Sequence, residues 1–256
     1  MKQLVALALA WSALHSGVAL AAHCSNQTLH GTLVGALSRS GPTPSAAMFM
    51  ESWDGAGHIN YFESDSNGTQ TSNYNGTALY SISSDCIANV YYDGATSMPW
   101  LYYVNPDGKG YAFVNNRNTG VVAAARTELM SSALLVNPAA TSPGPCSLAS
   151  LKGVMGWAAE RTRQGVPHAS DGTESYDGAG HMVYRQTDTN GYINNSYSGT
   201  GTYTITDRCV ASVYYDGSPT PFVYLVAPDG SAYWWVNNQN ASTVSAGKVV
   251  RISGDN

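Results

Sequence analysis

Two nearly identical octapeptides carry the side chains best suited to chemistry. The first reads ESWDGAGH, from Glu51 to His58, and the second, from Glu174 to His181, differs only by having Tyr176 in place of Trp53. In an extended strand, the glutamate and the aromatic residue two positions later share a face. A glutamate that faces a protein interior beside an aromatic ring is desolvated, so its pKa rises and it can exchange a proton. The candidate catalytic residues are therefore Glu51, His58, Glu174 and His181, with each histidine across a hairpin from its glutamate.

A structural role is the alternative for every one of these positions. Asp54 and Asp177 each precede a glycine, and Asp-Gly is typical of tight turns. Each histidine could cap such a turn, and each glutamate could bond the backbone at the end of a strand. The tyrosine pairs at 91–92 and 214–215 are expected in a wall rather than in a site.

Aromatic residues near the octapeptides, and residues that differ between the two halves, are candidates for substrate binding. The second half contains Arg161, His168, Arg185 and the pair Trp234-Trp235, whereas most positions aligned with these in the first half are neutral. Trp234 and Trp235 point to opposite faces of a strand, so one of them should face an interior or a groove. A solvated strand end is the alternative role for the arginines. The candidate set is Trp53, Tyr61, Tyr176, Tyr184, Trp234, Trp235, Arg161 and Arg185.

Two copies of one module account for nearly the whole chain after residue 21. Glu51 and Glu174 are separated by the same interval as Cys86 and Cys209, and Cys24 and Cys146 by one residue less. A repeat of this length indicates a duplicated structural unit. We interpret residues 22–130 as the first β-barrel repeat, 131–145 as a Pro-rich linker and 146–256 as the second β-barrel repeat.

Each copy reads as a series of short strands joined by tight turns, without a convincing amphipathic helix. Asp-Gly and Asn-Gly turns separate strand-like runs, and only Asn75-Gly76 falls inside a long run, where a bend or bulge is expected. The fold prediction is all-β, with two tandem antiparallel eight-stranded up-and-down, calycin-like β-barrels. A pair of β-sandwiches is the alternative. The predicted strands of the first copy are Leu29–Leu37, Ala47–Trp53, His58–Glu63, Gln70–Ile82, Ile87–Tyr92, Pro99–Val104, Gly110–Asn115 and Val121–Thr127.

The first 21 residues are typical of a secretory signal peptide. Lys2 precedes an apolar run, and Ala19-Leu20-Ala21 provides small residues before a cleavage site. A membrane anchor is the alternative, but the apolar run breaks at His15 and is too short to span a bilayer. We therefore expect a soluble protein in the secretory-pathway lumen or outside the cell, with no membrane partner after cleavage.

The four cysteines fit an oxidising compartment. Only pairing within each copy, Cys24 with Cys86 and Cys146 with Cys209, respects the duplication. Zinc is the competing use, but no Cys-x-x-Cys or paired histidine supports it, so no metal is expected. In a eukaryotic host the sequons predict glycosylation at Asn26, Asn67, Asn75, Asn194 and Asn240.

Several classes of function are disfavoured. The net charge is −5 and only 11% of residues are charged, so nucleic acid is not an expected partner. The chain has no Gly-x-Ser-x-Gly elbow, His-Glu-x-x-His motif, phosphate loop or dinucleotide fingerprint. We expect no cofactor. An enzyme of this kind would work by orienting a reactive substrate and donating hydrogen bonds to it.

The order of several motifs resembles calycin-like barrel modules of secreted proteins. These motifs are Leu29-His30-Gly31, Trp53 to His58, and the run from Thr200 to Cys209. The resemblance implies lipocalin-like barrels and small apolar ligands. In its overall character, as a secreted, sequon-bearing and cofactor-free chain, it also resembles the fungal hetero-Diels–Alderases of tropolone–sesquiterpenoid biosynthesis, and no catalytic residue is carried over from them.

Two functions follow as hypotheses. The first is a cofactor-independent cyclase or pericyclase that acts on a hydrophobic small molecule in secondary metabolism. The second is a non-catalytic secreted binding module for a lipophile or a glycan. One diverged site favours the enzyme, whereas two near-identical sites favour a lectin, and the unequal polar residues of the two copies favour the enzyme.

Overall fold

The computed structural model of the chain describes residues 23–68, 71–115, 120–136, 144–163, 166–191, 194–237 and 243–253. The predicted signal peptide and the sequon at Asn240 lie outside the described residues. No helix among the described residues is long and apolar enough to cross a membrane.

The first copy forms a closed barrel of eight antiparallel strands, each paired with its neighbour along the chain. Burial alternates along β5, where Ala88 and Val90 are buried and the residues between and beyond them are half-buried, whereas β2 is buried on both faces. Closure comes from pairing of the first strand with the last. The strands are β1 (His30–Ser40), β2 (Ser45–Asp54), β3 (His58–Ser66), β4 (Thr71–Ile82), β5 (Ile87–Tyr92), β6 (Trp100–Val104), β7 (Tyr111–Val114) and β8 (Val122–Ser131).

The second copy repeats this barrel with its last strand in two pieces. The short β16 and the longer β17 both pair with β9, with Ser245 between them, and β9 also pairs with β10 to close the sheet. The prediction of two tandem eight-stranded barrels is confirmed, and the β-sandwich alternative is wrong. The strands are β9 (Lys152–Arg163), β10 (Val166–Asp177), β11 (His181–Thr189), β12 (Asn194–Ile205), β13 (Val210–Tyr215), β14 (Phe222–Val226), β15 (Ala232–Val236), β16 (Thr243–Val244) and β17 (Ala246–Ser253).

A disulfide in each barrel ties the segment before the first strand to the start of the fifth. Cys24 pairs with Cys86 and Cys146 with Cys209, as predicted. The bridges close loops of 62 and 63 residues. In the chain-entropy description, each closure stabilises the fold by about 4 kcal/mol.

The sequence Asn75-Gly76 forms no bulge, which corrects that part of the prediction of a bend or bulge. The register between β3 and β4 runs without a shift through the pair Tyr61–Gly76. A Cβ atom at Gly76 would lie 2.3 Å from Oδ1 of Asp93 and 2.6 Å from Cε1 of Tyr61. Glycine is therefore required here by the close packing of the Tyr61 ring and Asp93 on the strand.

The two barrels pack against each other through unlike faces. The outer surface of β1 and β2, with Met48 and Met50, joins one buried apolar cluster with Leu225, Trp234 and Val236 from the outer surface of β14 and β15. At the edge of this contact, Nζ of Lys248 in the second barrel lies 2.7 Å from Glu128 in the first, and 5.2 Å from the centre of the Trp234 ring. An apolar contact of this kind holds the barrels together.

We predict that Trp234→Ala destabilises the protein by about 3–5 kcal/mol, because it opens a cavity in the cluster between the barrels. The neighbouring Trp235 is only half-buried in the second barrel's interior, so Trp235→Ala should cost less. Denaturant unfolding of both variants measures the difference. Equal costs for the two variants would contradict the assignment of Trp234 to the contact between the barrels.

Candidate functional site

Each barrel encloses a cavity, which we call its lumen. The first lumen has a volume of about 240 Å³ and the second about 420 Å³. Below each lumen the barrel is filled with side chains, including Trp53 and Ile59 in the first and Leu151 and Met155 in the second. Each lumen therefore has a packed floor, and Glu51 or Glu174 lies in the wall.

In the first barrel, Glu51 is 3% exposed and accepts three side-chain hydrogen bonds. Nε1 of Trp53 donates to Oε2 over 3.1 Å, and the hydroxyl of Tyr111 donates to the same oxygen over 2.5 Å. The hydroxyl of Tyr92 donates to Oε1. Tyr92 and Tyr102 also share a hydrogen bond between their hydroxyls, at 2.6 Å. Both carboxyl oxygens are thus bound by donors from three strands.

The second barrel contains the same arrangement around Glu174. The hydroxyl of Tyr176 lies 2.6 Å from Oε2, that of Tyr215 lies 2.5 Å from Oε1, and Tyr233 also donates to Oε2. Tyr215 in turn contacts the hydroxyl of Tyr224 at 2.5 Å. The exchange of Trp53 for Tyr176 between the octapeptides therefore keeps a donor to the glutamate, because a phenol O–H replaces an indole N–H. We call these two sets the Glu–Tyr clusters.

Burial changes the protonation of both clusters. Desolvation raises the pKa of Glu51 to about 7, although hydrogen bonds from Tyr111, Tyr92 and Trp53 act in the opposite direction. Desolvation raises the pKa of Glu174 as well. The pKa values of the tyrosines in the clusters rise well above their usual range through desolvation first and the nearby glutamate second, so their hydroxyls keep their protons and remain donors.

The structure does not bring His58 or His181 to the glutamates. The His58 side chain is 67% exposed, and its Nδ1 lies 3.0 Å from Oδ2 of Asp54 in the turn. His181 lies 3.1 Å from Asp177 in the same way. Each aspartate also accepts hydrogen bonds from backbone N–H groups of the turn through Oδ1. These contacts are those of a turn cap, which was the alternative role for the histidines. The histidines lie outside the barrel, whereas the glutamates lie inside it.

The other candidate residues divide between the lumens and the outer surface. Tyr61 and Tyr184 line the lumens and donate to Asp93 and Asp216, and Trp235 lines the second lumen. Trp53 and Tyr176 are buried in the Glu–Tyr clusters. Arg161 belongs to β9, and its side chain is not among those that the structure describes.

Two differences between the copies have a cause other than ligand binding. Trp234 packs between the barrels, and its counterpart in the first copy is Ala112. Arg185 is exposed on the outer face of β11, and its counterpart Phe62 packs against the cluster between the barrels. These positions differ because only one of the two equivalent faces is covered. They do not form a site with Trp235.

Apart from Tyr176, the tyrosines of the clusters were not among the residues that sequence reasoning selected. A signal was available, since Tyr92, Tyr102 and Tyr111 recur as Tyr215, Tyr224 and Tyr233 in the second copy. Recurrence alone does not distinguish a tyrosine that packs in the barrel wall from one that donates a hydrogen bond to the glutamate. The register of the barrel strands shows which tyrosines reach the glutamate.

The mouths of the two lumens differ in charge. In the first, Arg39 lies 2.7 Å from Glu63 and 2.5 Å from Asp65, and Arg39 and Glu63 line the lumen. In the second, Gln186 occupies the position of Glu63 and lines the lumen with Asp188. Nδ1 of His168 lies 3.9 Å from Oδ1 of Asp188.

The wall above the clusters differs by an exchange of large and small residues. In the first barrel Phe49 pairs across the strands with Gly35, and a Cβ on that glycine would lie 2.6 Å from the Phe49 ring. In the second barrel the order is reversed, with Trp157 opposite Gly172 and a corresponding distance of 2.9 Å. The aromatic ring is thus supplied by the other strand of the pair, which reshapes the second lumen.

No protein-family model matches the chain, and no curated protein matches it in sequence. Two solved structures are similar at low identity. One is a protein of unknown function from the DUF3598 family of Nostoc punctiforme PCC 73102, with 10% identity over 90% of this chain and 99% of that chain, and a TM-score of 0.25. The other is MucB in complex with MucA(peri), with 9% identity over 88% of each chain and a TM-score of 0.22. At such TM-scores, neither similarity carries an argument about function.

We predict that Glu51→Gln removes a pH dependence of folding stability. Because the folded pKa of about 7 exceeds the ordinary value of 4.5, the wild-type protein loses stability as pH rises from about 4.5 to 7, by about 3 kcal/mol. Urea unfolding of both proteins across this range measures the difference. The exposed Glu160→Gln is the control and should keep the wild-type slope. Parallel curves for Glu51→Gln and wild type would contradict the raised pKa.

Proposed function

We propose that the chain is a secreted binding protein that holds one small molecule in the lumen of its second barrel. The observation that carries the proposal is the difference between the lumens. At about 420 Å³ the second is within the range of small-molecule sites, whereas the first, at about 240 Å³, is below it. The two disulfides are compatible with a secreted or secretory-pathway protein.

The Glu–Tyr clusters favour binding over chemistry. Both oxygens of Glu174 already accept hydrogen bonds from protein hydroxyls, and the same is true of Glu51 in the smaller lumen. A carboxyl group held in this way in both copies fixes the positions of strands and tyrosines. A general acid or base would instead need one of these bonds to be exchanged for a substrate.

The cofactor-independent cyclase, similar in character to the fungal hetero-Diels–Alderases, is the second candidate. One observation favours it: burial raises the pKa of Glu174, which lines the second lumen beside tyrosine hydroxyls that keep their protons. Such donors could stabilise charge that develops on a substrate oxygen during a cyclisation. Neither function requires a cofactor.

We predict that a bound small molecule stabilises the wild-type protein with a stoichiometry of one per chain. The screen is a thermal-shift assay with terpenoids, aromatic polyketides and oligosaccharides, followed by titration calorimetry. A ligand at 100 times its Kd stabilises the fold by about 2.7 kcal/mol, which raises Tm by several degrees.

Matched variants locate the ligand. Trp235→Ala removes an aromatic wall of the second lumen and should weaken binding at least tenfold, while Phe113→Ala at the equivalent position of the first lumen should leave the affinity unchanged. The reverse pattern, or two equal sites per chain, would refute the proposal.

The cyclase is tested separately with any ligand that is itself cyclised. We predict that Glu174→Gln lowers the rate of that reaction at least tenfold while the ligand still binds, because the proton donor is lost. Unchanged turnover in this variant, or no product from any bound ligand, would leave binding as the function.

A further inference from the structure

The wall of the second lumen has gained hydroxyl groups relative to the first. The equivalent positions are Ala47 and Ser170 in β2 and β10, and Val121 and Thr243 near the last strand of each barrel. Ser170 adds an O–H to the methyl carbon of alanine, and Thr243 has an O–H in place of one methyl group of valine. At these two positions the wall of the second lumen is therefore more polar at almost constant side-chain volume.

The fold does not use the hydroxyl of Ser170. This residue lines the second lumen and is 6% exposed, and its Oγ has no hydrogen-bond partner among the described residues. Ser245 next to β16 is fully buried with an equally unpartnered Oγ, where the first barrel has Ala123. A buried hydroxyl without a partner destabilises a protein. A ligand that binds beside Ser170 would provide the missing partner.

The second lumen also contains carboxyl and amide groups. Its described side chains include Glu174, Asp188 and Gln186. Gln186 in place of Glu63 leaves an amide that can both donate and accept hydrogen bonds.

Flat aromatic surfaces form the rest of the wall. Trp157 and Trp235 lie with their ring centres 6.5 Å apart at an angle of 67°, and Phe222 and Tyr184 line the same space. A ring can stack on such surfaces. A purely aliphatic ligand would cover Gln186 without giving it hydrogen bonds, which is costly, and would leave Ser170 without a partner.

We infer that the second lumen selects a ring that bears hydroxyl groups, of the kind found in sugars and in polyhydroxylated phenols. This inference rests on the proposed binding function and specifies its ligand. The ring packs on Trp157 and Trp235, and the hydroxyl groups bond to Ser170, Thr243 and Gln186.

The test uses four probes with the full mature chain: methyl β-D-glucopyranoside, resorcinol, toluene and benzoate. Tryptophan fluorescence and calorimetry report binding. We expect resorcinol, the glucoside or both to bind, and toluene and benzoate to bind at least tenfold more weakly. Binding of the glucoside alone identifies a sugar site, and binding of resorcinol alone identifies a phenol site.

The variant Ser170→Ala/Thr243→Val gives the second lumen the residues of the first. It should weaken the binding of the hydroxyl-bearing probe roughly tenfold and leave the affinity for toluene unchanged, because it removes hydrogen bonds and keeps the shape of the lumen. Without ligand, Ser170→Ala should raise Tm by about 2–4 °C, since an unpartnered hydroxyl is lost. A serine with a merely structural role would give a lower Tm. The control Ala47→Ser/Val121→Thr in the first barrel should not change the affinity.

The possible failures are distinguishable. Toluene or benzoate binding as tightly as resorcinol, or an unchanged affinity in the double variant, would overturn the ligand class and leave a binding protein. If none of the four probes binds, the ligand class is overturned. If the wider panel of the thermal-shift screen also gives no shift in Tm, the proposed binding function is refuted together with the ligand class.

Discussion

A carboxyl group enclosed in each barrel determines how the rest of the interior is arranged. A buried glutamate is costly unless both of its oxygens accept hydrogen bonds. Three strands of the first barrel meet this requirement for Glu51, through Trp53 on β2, Tyr92 on β5 and Tyr111 on β7. Because these strands lie on different sides of the lumen, the carboxyl group links opposite walls, and the hydrogen bonds polarise one another in a dry environment. The unusual tyrosine content of the chain, 17 residues, partly reflects this use.

The sequence was sufficient for the fold because its signals were local. Asp-Gly turns, alternating strands and a pair of cysteines per copy each constrain only neighbouring residues or one loop, and the repeat doubled every signal. Glu51 was recognisable as an inward-facing residue for the same reason. Its partners were not, since Tyr92 and Tyr111 reach it only through the closure of the barrel. His58 was misleading because its short distance along the chain from Glu51 does not bring it to the same face of the sheet.

Differences between the copies proved to have two separate physical origins. Trp234 and Arg185 differ from their counterparts because of the contact between the barrels, and Ser170 and Gln186 differ in the lumen. In sequence these two groups are intermixed, and charge or aromatic content does not separate them. Only the direction of each side chain, outward or inward, does so. Adjacent residues such as Trp234 and Trp235 therefore belong to different parts of the molecule.

The contact between unlike faces also bears on whether chains could polymerise. A contact that joins one face of a module to a different face of the next can repeat without end. The second barrel exposes the equivalent of the face formed by β1, β2 and β3, but Asp171 and Arg185 stand where the first barrel has Met48 and Phe62. Burying these charges against a third barrel would require their desolvation without partners. The free end of the tandem thus opposes growth into a filament, and the same sequence that joins two barrels discourages a third.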